Sequence, residues 1–465
     1  MVWSANRKKN VHLAITLPAI FVLLGVAPHV QAEAGWKAGV AKAVITPRGS
    51  IWMAGFAARN RPSEGIQTDL HVKALALQDE TGKNSAFVTS DLIGFRRELS
   101  DAIAGRCEKR FGVTRDRLVL NSSHTHSGPV IGRGWGTRSP EQERVIQAYT
   151  EELLEKVVEV VGKSIQDLSP ATLEFKQGLA GFAVNRRRDR PGMRHLPGPV
   201  DHDAPVLSVR SPDGQLRAIL FGYACHNTTL AGYHINADYA GYAQEALEKA
   251  HPGAMALFLQ GCGGDQNPLP RYHGFEPQLS HYSVELCSMY GRILAAAVDL
   301  VLHEKMTPVS GPLTTTFERV DIPFQPLPTR DELQARLKDS DSDLRARAER
   351  VLGILERQGS LPDRYPYPIQ VAQFGRSLKF IALGGEPVVD YALRLKAEHG
   401  WENTWVAGYC NDVFAYIPSK RVLKEGGYET GGGPGGPFSV AVEEIIVEKI
   451  NELVRRTRNG TGPIR

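Results

Sequence analysis

Three histidines in the sequence have the spacing and surroundings of metal ligands. His124 and His126 lie one residue apart in NSSHTHSGP (residues 121–129), and His226 lies in CHNTT. In an extended segment a His-X-His pair places both rings on one face of the backbone, as two ligands of a single ion require. Loop histidines without a ligand show the same spacing, and a histidine beside a strand is commonly a core residue held by backbone groups. A metal site, a catalytic base and ordinary loop histidines therefore remain open.

Other polar residues also stand directly after apolar runs. Glu386 follows LKFIALGG, Asn411 and Tyr416 follow TWVAGYC, and the loop GCGGDQNP (residues 261–268) follows AMALFLQ. Ligands of open α/β sheets bind outside the carboxyl ends of strands, so we expect these strand exits to converge. Two histidines, a glutamate and a further oxygen donor suit a divalent transition metal, and zinc above all.

Each of these candidates also has a purely structural explanation. Glu386 precedes Pro387 and the helical segment VVDYALRLK, where a carboxylate stabilises the start of a helix. The glycines of GCGGDQNP would serve either tight backbone turns or a cradle of N–H groups for an oxyanion. Tyr416 would otherwise be a tyrosine buried in a turn.

The elements that position these residues are visible as periodic patterns. Helical periodicity covers residues 143–161, 283–305 and 440–456. A capping box of Thr329 and Glu332 begins a charged segment that runs to Arg350, and this segment is expected to be a surface helix or a lid. Short apolar runs predict buried strands at ALALQD, SAFVTSD, RLVLNSS, LRAILFGYA, AMALFLQG, LKFIALGG and TWVAGY. Strands alternating with helices predict an α/β fold with a mixed sheet core, flanking helices and an active site at the strand exits.

The composition and the N-terminus indicate an exported globular protein. The chain has 465 residues, of which 42% are hydrophobic and 23% charged. Residues 1–32 combine a basic start, an apolar stretch from Leu13 to Val26 and a small-residue cleavage site at Val30–Ala32, a pattern that predicts a signal peptide. A membrane anchor is less favoured, because the apolar stretch is short and Pro18 interrupts it. We therefore expect a periplasmic or secreted protein.

Removal of the signal peptide would take away three basic residues and lower the net charge from +4 to +1. This charge gives no indication of nucleic-acid binding. Export permits disulfides, and because Cys225 and Cys262 both stand at strand exits, we predict a bridge between them if their strands are neighbours.

Taken together, the motifs resemble the catalytic domain of the neutral/alkaline non-lysosomal ceramidase family. The resemblance covers roughly residues 36–458 and is carried by HTHSGP, by FAVNRRRD (residues 182–189), by GVAKAVITP near the mature start and by NADYAGYA (residues 236–243). It implies one zinc ion held by His124, His226, Glu386 and Tyr416, the last lying five residues beyond Asn411.

The resemblance also assigns residues around the metal and exposes two departures. His126 would lie beside the ion for proton transfer or contact with an oxyanion, and Arg186 would face the site. The family's Gly-Asp-Val-Ser-Pro-Asn loop carries a serine essential for amide cleavage, and here Asn267 replaces it in GDQNPL (residues 264–269). An asparagine amide can bind a carbonyl or position a water, but it is no nucleophile. The immunoglobulin-like domain that follows in ceramidases is the second departure: we expect residues 33–465 to form a single domain without it.

Together with the residues described above, the resemblance implies an exported zinc hydrolase that cleaves an N-acyl amide bond, in ceramide or a related compound, by metal-activated water. Arg186 and Asn267 would orient the substrate, and His126 would transfer the proton. The expected partner is a small or lipid-like acyl amide, with no nucleic acid; peripheral contact with a membrane stays open, as does the oligomeric state. Two alternatives remain: hydrolysis of a different ester or phosphoester, and a binding protein that kept the fold without turnover.

Overall fold

The computed structural model describes residues 35–132, 139–189, 198–270, 280–326, 328–340 and 342–458. The predicted signal peptide, residues 1–32, lies outside the described residues. Within the described ranges, no helix is long and apolar enough to cross a membrane.

Strands and helices alternate along the described part of the chain. The strands are β1 (Trp36–Val44), β2 (Gly65–Ile66), β3 (His71–Gln78), β4 (Asn84–Ser90), β5 (Leu118–Ser122), β6 (Ser169–Leu179), β7 (Ala183–Asn185), β8 (Asp203–Arg210), β9 (Leu216–Tyr223), β10 (His234–Ile235), β11 (Met255–Gln260), β12 (Gln266–Pro268), β13 (Thr307–Val309), β14 (Leu313–Pro323), β15 (Arg364–Phe374), β16 (Leu378–Leu383), β17 (Glu386–Pro387), β18 (Thr404–Ala407) and β19 (Tyr416–Ile417). The α-helices are α1 (Arg97–Phe111), α2 (Pro140–Gln166), α3 (Asp238–Ala250), α4 (Ser280–His303), α5 (Arg330–Arg336), α6 (Ser342–Gln358), α7 (Val389–His399), α8 (Lys420–Glu425) and α9 (Val442–Arg458).

Two large sheets form the centre of the fold. The first has the strand order β11-β9-β8-β6-β1-β3-β4-β5, with β13 paired to β6; its two outer pairs, β9 with β11 and β4 with β5, are parallel, and the pairs between them are antiparallel. The second has the order β14-β15-β16-β18, and only its β16–β18 pair is parallel. The predicted mixed sheet of an α/β fold is therefore confirmed.

The sheets pack face to face, and helices cover their outer faces. One apolar cluster joins the inner faces, with Leu220 and Leu259 of the first sheet and Phe380 and Trp405 of the second. The outer face of the first sheet packs on α3 and α4 at one end and on α1 and α2 at the other. Helices α7 and α9 cover the second sheet. Burial of apolar surface in all four layers holds the strand exits in fixed positions.

The predicted elements are found where the sequence patterns place them. All seven predicted strands are present, as β3, β4, β5, β9, β11, β16 and β18, and the three periodic segments are α2, α4 and α9. Thr329 caps α5 in the predicted capping box with Glu332. The charged segment that follows is two helices, α5 and α6, rather than one, and both contribute apolar residues to a small cluster of their own.

The two edge strands of the first sheet meet at one asparagine. Asn121, at the end of β5, accepts a hydrogen bond from Gln260 N at 2.9 Å and donates to Gln260 O at 3.3 Å, so its amide imitates a strand partner for β11. The same amide donates to Gly408 O at 2.8 Å, just beyond β18. Because Asn121 is fully buried, these bonds act away from water. The exits of β5, β11 and β18 are thereby tied together.

Candidate metal centre

His124 and His226 are held with one ring nitrogen each directed at the same point. His124 Nδ1 lies 2.6 Å from Ile93 O, and His226 Nδ1 lies 2.6 Å from Gly263 O. A backbone carbonyl only accepts, so each Nδ1 carries a proton and each Nε2 is the nitrogen left to bind an ion. Metal-binding histidines commonly donate their second N–H in this way, which fixes the tautomer and the ring orientation.

Glu386 and Tyr416 are brought together by strand register. They are directly paired in the short parallel ladder of β17 and β19, and Glu386 N donates to Ala415 O at 2.9 Å. Glu386 Oε2 lies 3.1 Å from His124 Nε2 and 3.2 Å from His226 Nε2, and Tyr416 Oη lies 3.4 Å from His226 Nε2. The four predicted ligands therefore meet in one place. Glu386 lies before the first turn of α7, and the acidic residue within that turn is Asp390.

A cation between its members would stabilise this arrangement. Burial lowers the pKa of His226 to about 4, although the hydrogen bond with Glu386 opposes the shift, so the ring is neutral at pH 7 and its Nε2 lone pair faces a carboxylate oxygen. Two such groups repel each other unless a positive charge lies between them. Ligand atoms about 2.0–2.1 Å from a tetrahedral zinc ion lie about 3.3 Å apart, close to the separations found here. The donor set of two imidazoles, a carboxylate and a phenol thus fits zinc.

His126 completes a buried group of three histidines. One ring nitrogen from each of His124, His126 and His226 lies within 4.8 Å of the others, and this group can hold a metal ion. Both ring nitrogens of His126 are buried and have no hydrogen-bond partner among the described residues. Burial, followed by the neighbouring His124 and His226, lowers its pKa well below 6.5, so the ring is neutral. A neutral imidazole with both nitrogens unsatisfied is suited to move a proton or to bind a reacting group.

The glycine-rich loop after β11 has a structural role. A Cβ on Gly264 would lie 2.5 Å from Glu386 O, so only glycine lets this loop approach the Glu386 backbone. The N–H groups of Gly263 and Gly264 donate to the carbonyls of Gly261 and Pro387, each at 2.9 Å. Since both N–H groups already donate to backbone carbonyls, they cannot bind an oxyanion. For these two residues, the glycines therefore serve tight backbone turns.

The predicted Cys225–Cys262 disulfide is wrong. None of the five cysteines, all of which lie in the described ranges, forms a disulfide. Cys225 belongs to the apolar cluster under α3 and α4, and Cys262 belongs to the cluster under α7 and α9. Although β9 and β11 are neighbours, the two side chains enter separate cores.

Arg186 lies over the Tyr416 ring, with its guanidinium carbon 5.2 Å from the ring centroid. Its Nε donates to Glu429 Oε1 at 2.9 Å, and Arg187 donates to the other oxygen of the same carboxylate. The Glu429 side chain is fully buried, so this double ion pair acts in a low-dielectric surrounding. Arg186 is thereby fixed beside Tyr416, one of the proposed metal ligands.

Asn267 lies in β12, next to the loop that carries His226. His226 N donates to Gln266 O at 3.0 Å, and Thr228 Oγ1 lies 3.5 Å from Asn267 Oδ1. Asn267 is buried, and it pairs with Val184 across the β7–β12 ladder. Asn267 therefore places a buried amide beside the His226 segment.

Three residues around the site were missed by the sequence analysis. Arg59 donates to His126 O at 2.6 Å, and Glu429 holds Arg186. Tyr409 packs its ring on His124, with 4.5 Å between ring centroids. Arg59 and Glu429 stand in polar, glycine-containing stretches that look like loops, whereas Tyr409 ends an apolar run and looks like a strand residue. For Tyr409, the neighbouring Gly408 was the one feature of the sequence that could have indicated a turn at the site.

Comparison with known proteins identifies the relationship behind this geometry. The model of the family described as "Neutral/alkaline non-lysosomal ceramidase, N-terminal" matches residues 36–269. The chain belongs to this family. The matched segment contains His124, His126, His226, Arg186 and Asn267.

Relatives and solved structures agree with this assignment. The chain is 31% identical over 260 residues to neutral ceramidase of Drosophila melanogaster, which covers 51% of this chain and 36% of that protein. It is 23% identical over 249 residues to neutral ceramidase A of Dictyostelium discoideum, which covers 49% of this chain and 35% of that protein. The matches thus span about a third of the length of these two curated relatives. The crystal structure of neutral ceramidase from Pseudomonas aeruginosa shares the fold, with a TM-score of 0.72 and 19% identity over 92% of this chain and 75% of that one.

Proposed function

We propose that this family member is a zinc-dependent amidohydrolase that cleaves the N-acyl amide bond of ceramide or a related lipid amide by metal-activated water. The observation that carries the proposal is the position of Glu386 Oε2, which lies 3.1 Å from His124 Nε2 and 3.2 Å from His226 Nε2, while Tyr416 Oη lies 3.4 Å from the same His226 Nε2. Family membership supports the reaction class, and the neutral ceramidases among the relatives support the choice of substrate.

The chain's own residues prepare the site before any substrate binds. Zinc, when bound, supplies Lewis-acid polarisation of the scissile carbonyl and activation of a water molecule. Ile93 O and Gly263 O hold the His124 and His226 rings in the tautomer that presents Nε2. Glu386 contributes the negative charge that would balance the cation.

The remaining polar groups act on the substrate. His126, neutral and with both nitrogens available, takes a proton from the attacking water and delivers it to the leaving nitrogen. Arg186, fixed by Glu429, binds an oxygen of the substrate as a charged donor. Asn267 orients the substrate through its amide, which can donate to a carbonyl and accept from a hydroxyl.

An ester is the second candidate substrate, and one observation favours it. Asn267 occupies the position at which the family pattern has the serine linked to amide cleavage. An ester has a better leaving group than an amide, so its hydrolysis depends less on assistance at this position. A comparison of amide and ester analogues with identical acyl chains separates the two candidates.

The first experiment measures the metal. The purified chain should contain about one zinc ion per molecule by elemental analysis, and His124→Ala and His226→Ala should each lose it because each removes one of four ligands. His202→Ala is the control, since His202 is exposed and bonded to Ala183 O at 2.9 Å. Full zinc occupancy in both ligand variants would refute the assignment.

The second experiment measures the reaction. Zinc-loaded enzyme should release fatty acid from an N-acyl sphingosine, chelation should abolish the release, and zinc should restore it. Glu386→Ala should be inactive, and Asn267→Ser should increase activity on the amide relative to the ester. A zinc-loaded wild type and Asn267→Ser variant that are both inert on amides and esters would refute hydrolysis and leave the binding protein.

Export is a separate part of the proposal. The basic and apolar pattern of residues 1–32 supports a cleaved signal peptide. N-terminal sequencing of protein recovered outside the cytoplasm should begin near Glu33. Intact Met1 on protein confined to the cytoplasm would contradict it.

A further inference from the structure

Tyr409 lies at the metal centre in a strained backbone conformation. It follows β18 and Gly408, and its φ of 55° is in the left-handed region that bulky residues rarely adopt. Hydrogen bonds on both sides hold it there: Tyr409 N donates to Gly385 O at 3.1 Å, and Cys410 N donates to Leu383 O at 2.9 Å. Strain of this kind occurs preferentially at functional sites.

The Tyr409 ring packs directly on the proposed metal ligands. Its centroid lies 4.5 Å from the His124 ring at an interplanar angle of 45°, and 6.0 Å from the His226 ring at 90°. The side chain is 1% exposed. Its ring therefore contacts the faces and edges of both histidines without being one of the four donors.

The hydroxyl of Tyr409 differs from those of the other fully buried tyrosines. Tyr223, Tyr239, Tyr290, Tyr367 and Tyr391 each donate to a backbone carbonyl, for example Tyr367 to Gly384 O at 2.8 Å. Tyr409 Oη is buried and has no partner among the described residues. A buried hydroxyl without a partner has lost its hydrogen bonds to water without replacement, which is unfavourable. Its acceptor is therefore expected to come from outside the chain.

The hydroxyl of Tyr409 has groups of the metal centre among its charged neighbours. Glu386, Tyr416 and Arg186 all interact electrostatically with it, as does Cys262. A phenol in these surroundings offers an O–H to an oxygen that enters the site.

We propose that Tyr409 is a further catalytic residue, whose hydroxyl donates a hydrogen bond to an acyl oxygen of the substrate and to the carboxylate of the fatty-acid product. The bond to the substrate's acyl oxygen rests on the proposed hydrolase function. The bond to the carboxylate does not, since a fatty acid can be bound without turnover. The geometry that carries it is the juxtaposition of an unpartnered buried hydroxyl and the His124–His226 pair.

Tyr409→Phe tests the hydroxyl alone because the ring and its packing remain. Octanoate serves as the product probe, with affinity measured by calorimetry on zinc-loaded protein. The variant should bind octanoate about tenfold more weakly, as the loss of one hydrogen bond to a charged group predicts. Its kcat on the N-acyl substrate should fall by a similar factor, with KM changed less. Zinc content should equal that of the wild type, since Tyr409 is not a ligand.

The Tm of Tyr409→Phe distinguishes this role from a purely structural one, because loss of a structural hydrogen bond would lower the Tm. Removing a hydroxyl without a partner should leave the Tm of the metal-free protein unchanged or raise it. Tyr367→Phe is the matched control: its hydroxyl bonds Gly384 O, so this variant should have a lower Tm and wild-type octanoate affinity.

The outcomes separate this inference from the proposed function. Wild-type octanoate affinity in Tyr409→Phe, or a Tm loss as large as that of Tyr367→Phe, would overturn the role of Tyr409, as would failure of the variant to fold. A wild type that binds zinc and octanoate but hydrolyses nothing would refute the hydrolase, while weaker octanoate binding by Tyr409→Phe would still support the hydrogen bond.

Discussion

The neutral, buried state of His226 makes the stability of the metal-free chain depend on pH. Burial lowers the pKa of His226 to about 4 in the folded chain, whereas in the unfolded chain the pKa is the ordinary value of 6.5. Between these values the unfolded state holds more protons, so the free energy of unfolding must decrease as the pH falls. At 1.36 kcal/mol for each pKa unit, the whole window corresponds to about 3 kcal/mol, of which about 2 kcal/mol is lost between pH 7.5 and pH 5.

His226→Gln isolates this contribution because glutamine does not titrate. We expect urea unfolding in the presence of a chelator to show that the wild type loses about 2 kcal/mol more than His226→Gln between pH 7.5 and pH 5. His303→Gln, in which an exposed histidine on α4 is replaced, is the control and should follow the wild type. Parallel pH profiles of wild type and His226→Gln would refute a neutral buried His226. The reasoning about opposed lone pairs at the metal centre would fail with it.

Three further substitutions test the framework of the site. Glu429→Gln should lower the free energy of unfolding by about 3 kcal/mol or more, because it leaves two arginines without their buried carboxylate. Urea unfolding measures this loss. The surface variant Glu318→Gln is the control and should lose less than about 1 kcal/mol. Asn121→Ala should cost about 3 kcal/mol, since it leaves backbone groups of Gln260 and Gly408 unpaired, and equal Tm values of variant and wild type would contradict the bridging role. Gly264→Ala should weaken zinc binding in a competition assay by displacing the Glu386 backbone, whereas Gly181→Ala, where a Cβ meets nothing within 4 Å, should bind normally.

Local patterns explain why the strands and the ligand histidines could be predicted. The run RLVLNSS is apolar and ends where polar residues begin, so both β5 and the position of His124 at its exit follow from composition along the chain. The same holds for β16 and Glu386. The resemblance of HTHSGP and its companion motifs to one family then assigned the residues to a common ion, which spacing alone left open.

Long-range features could not be read from the sequence in the same way. The meeting of β5 with β11 depends on Asn121, 139 positions from its partner Gln260, and no local pattern marks that pairing. The Cys225–Cys262 prediction failed because adjacent strand exits do not determine which core each side chain enters. Glu429, in a glycine-rich stretch, has the composition of an exposed loop residue, and only the fold buries it against Arg186.

The proposed metal ligands come from two different sheets. His124 and His226 extend from strands of the first sheet, whereas Glu386 and Tyr416 belong to a short ladder beyond the ends of β16 and β18 in the second. The bonds of Asn121 to Gln260 and Gly408 join the same two sheets without any ion. Protein contacts therefore already assemble the proposed donors, and a bound ion would not have to order them. Binding energy at such a preorganised centre would be left for polarising a substrate, which is the condition that electrostatic catalysis requires.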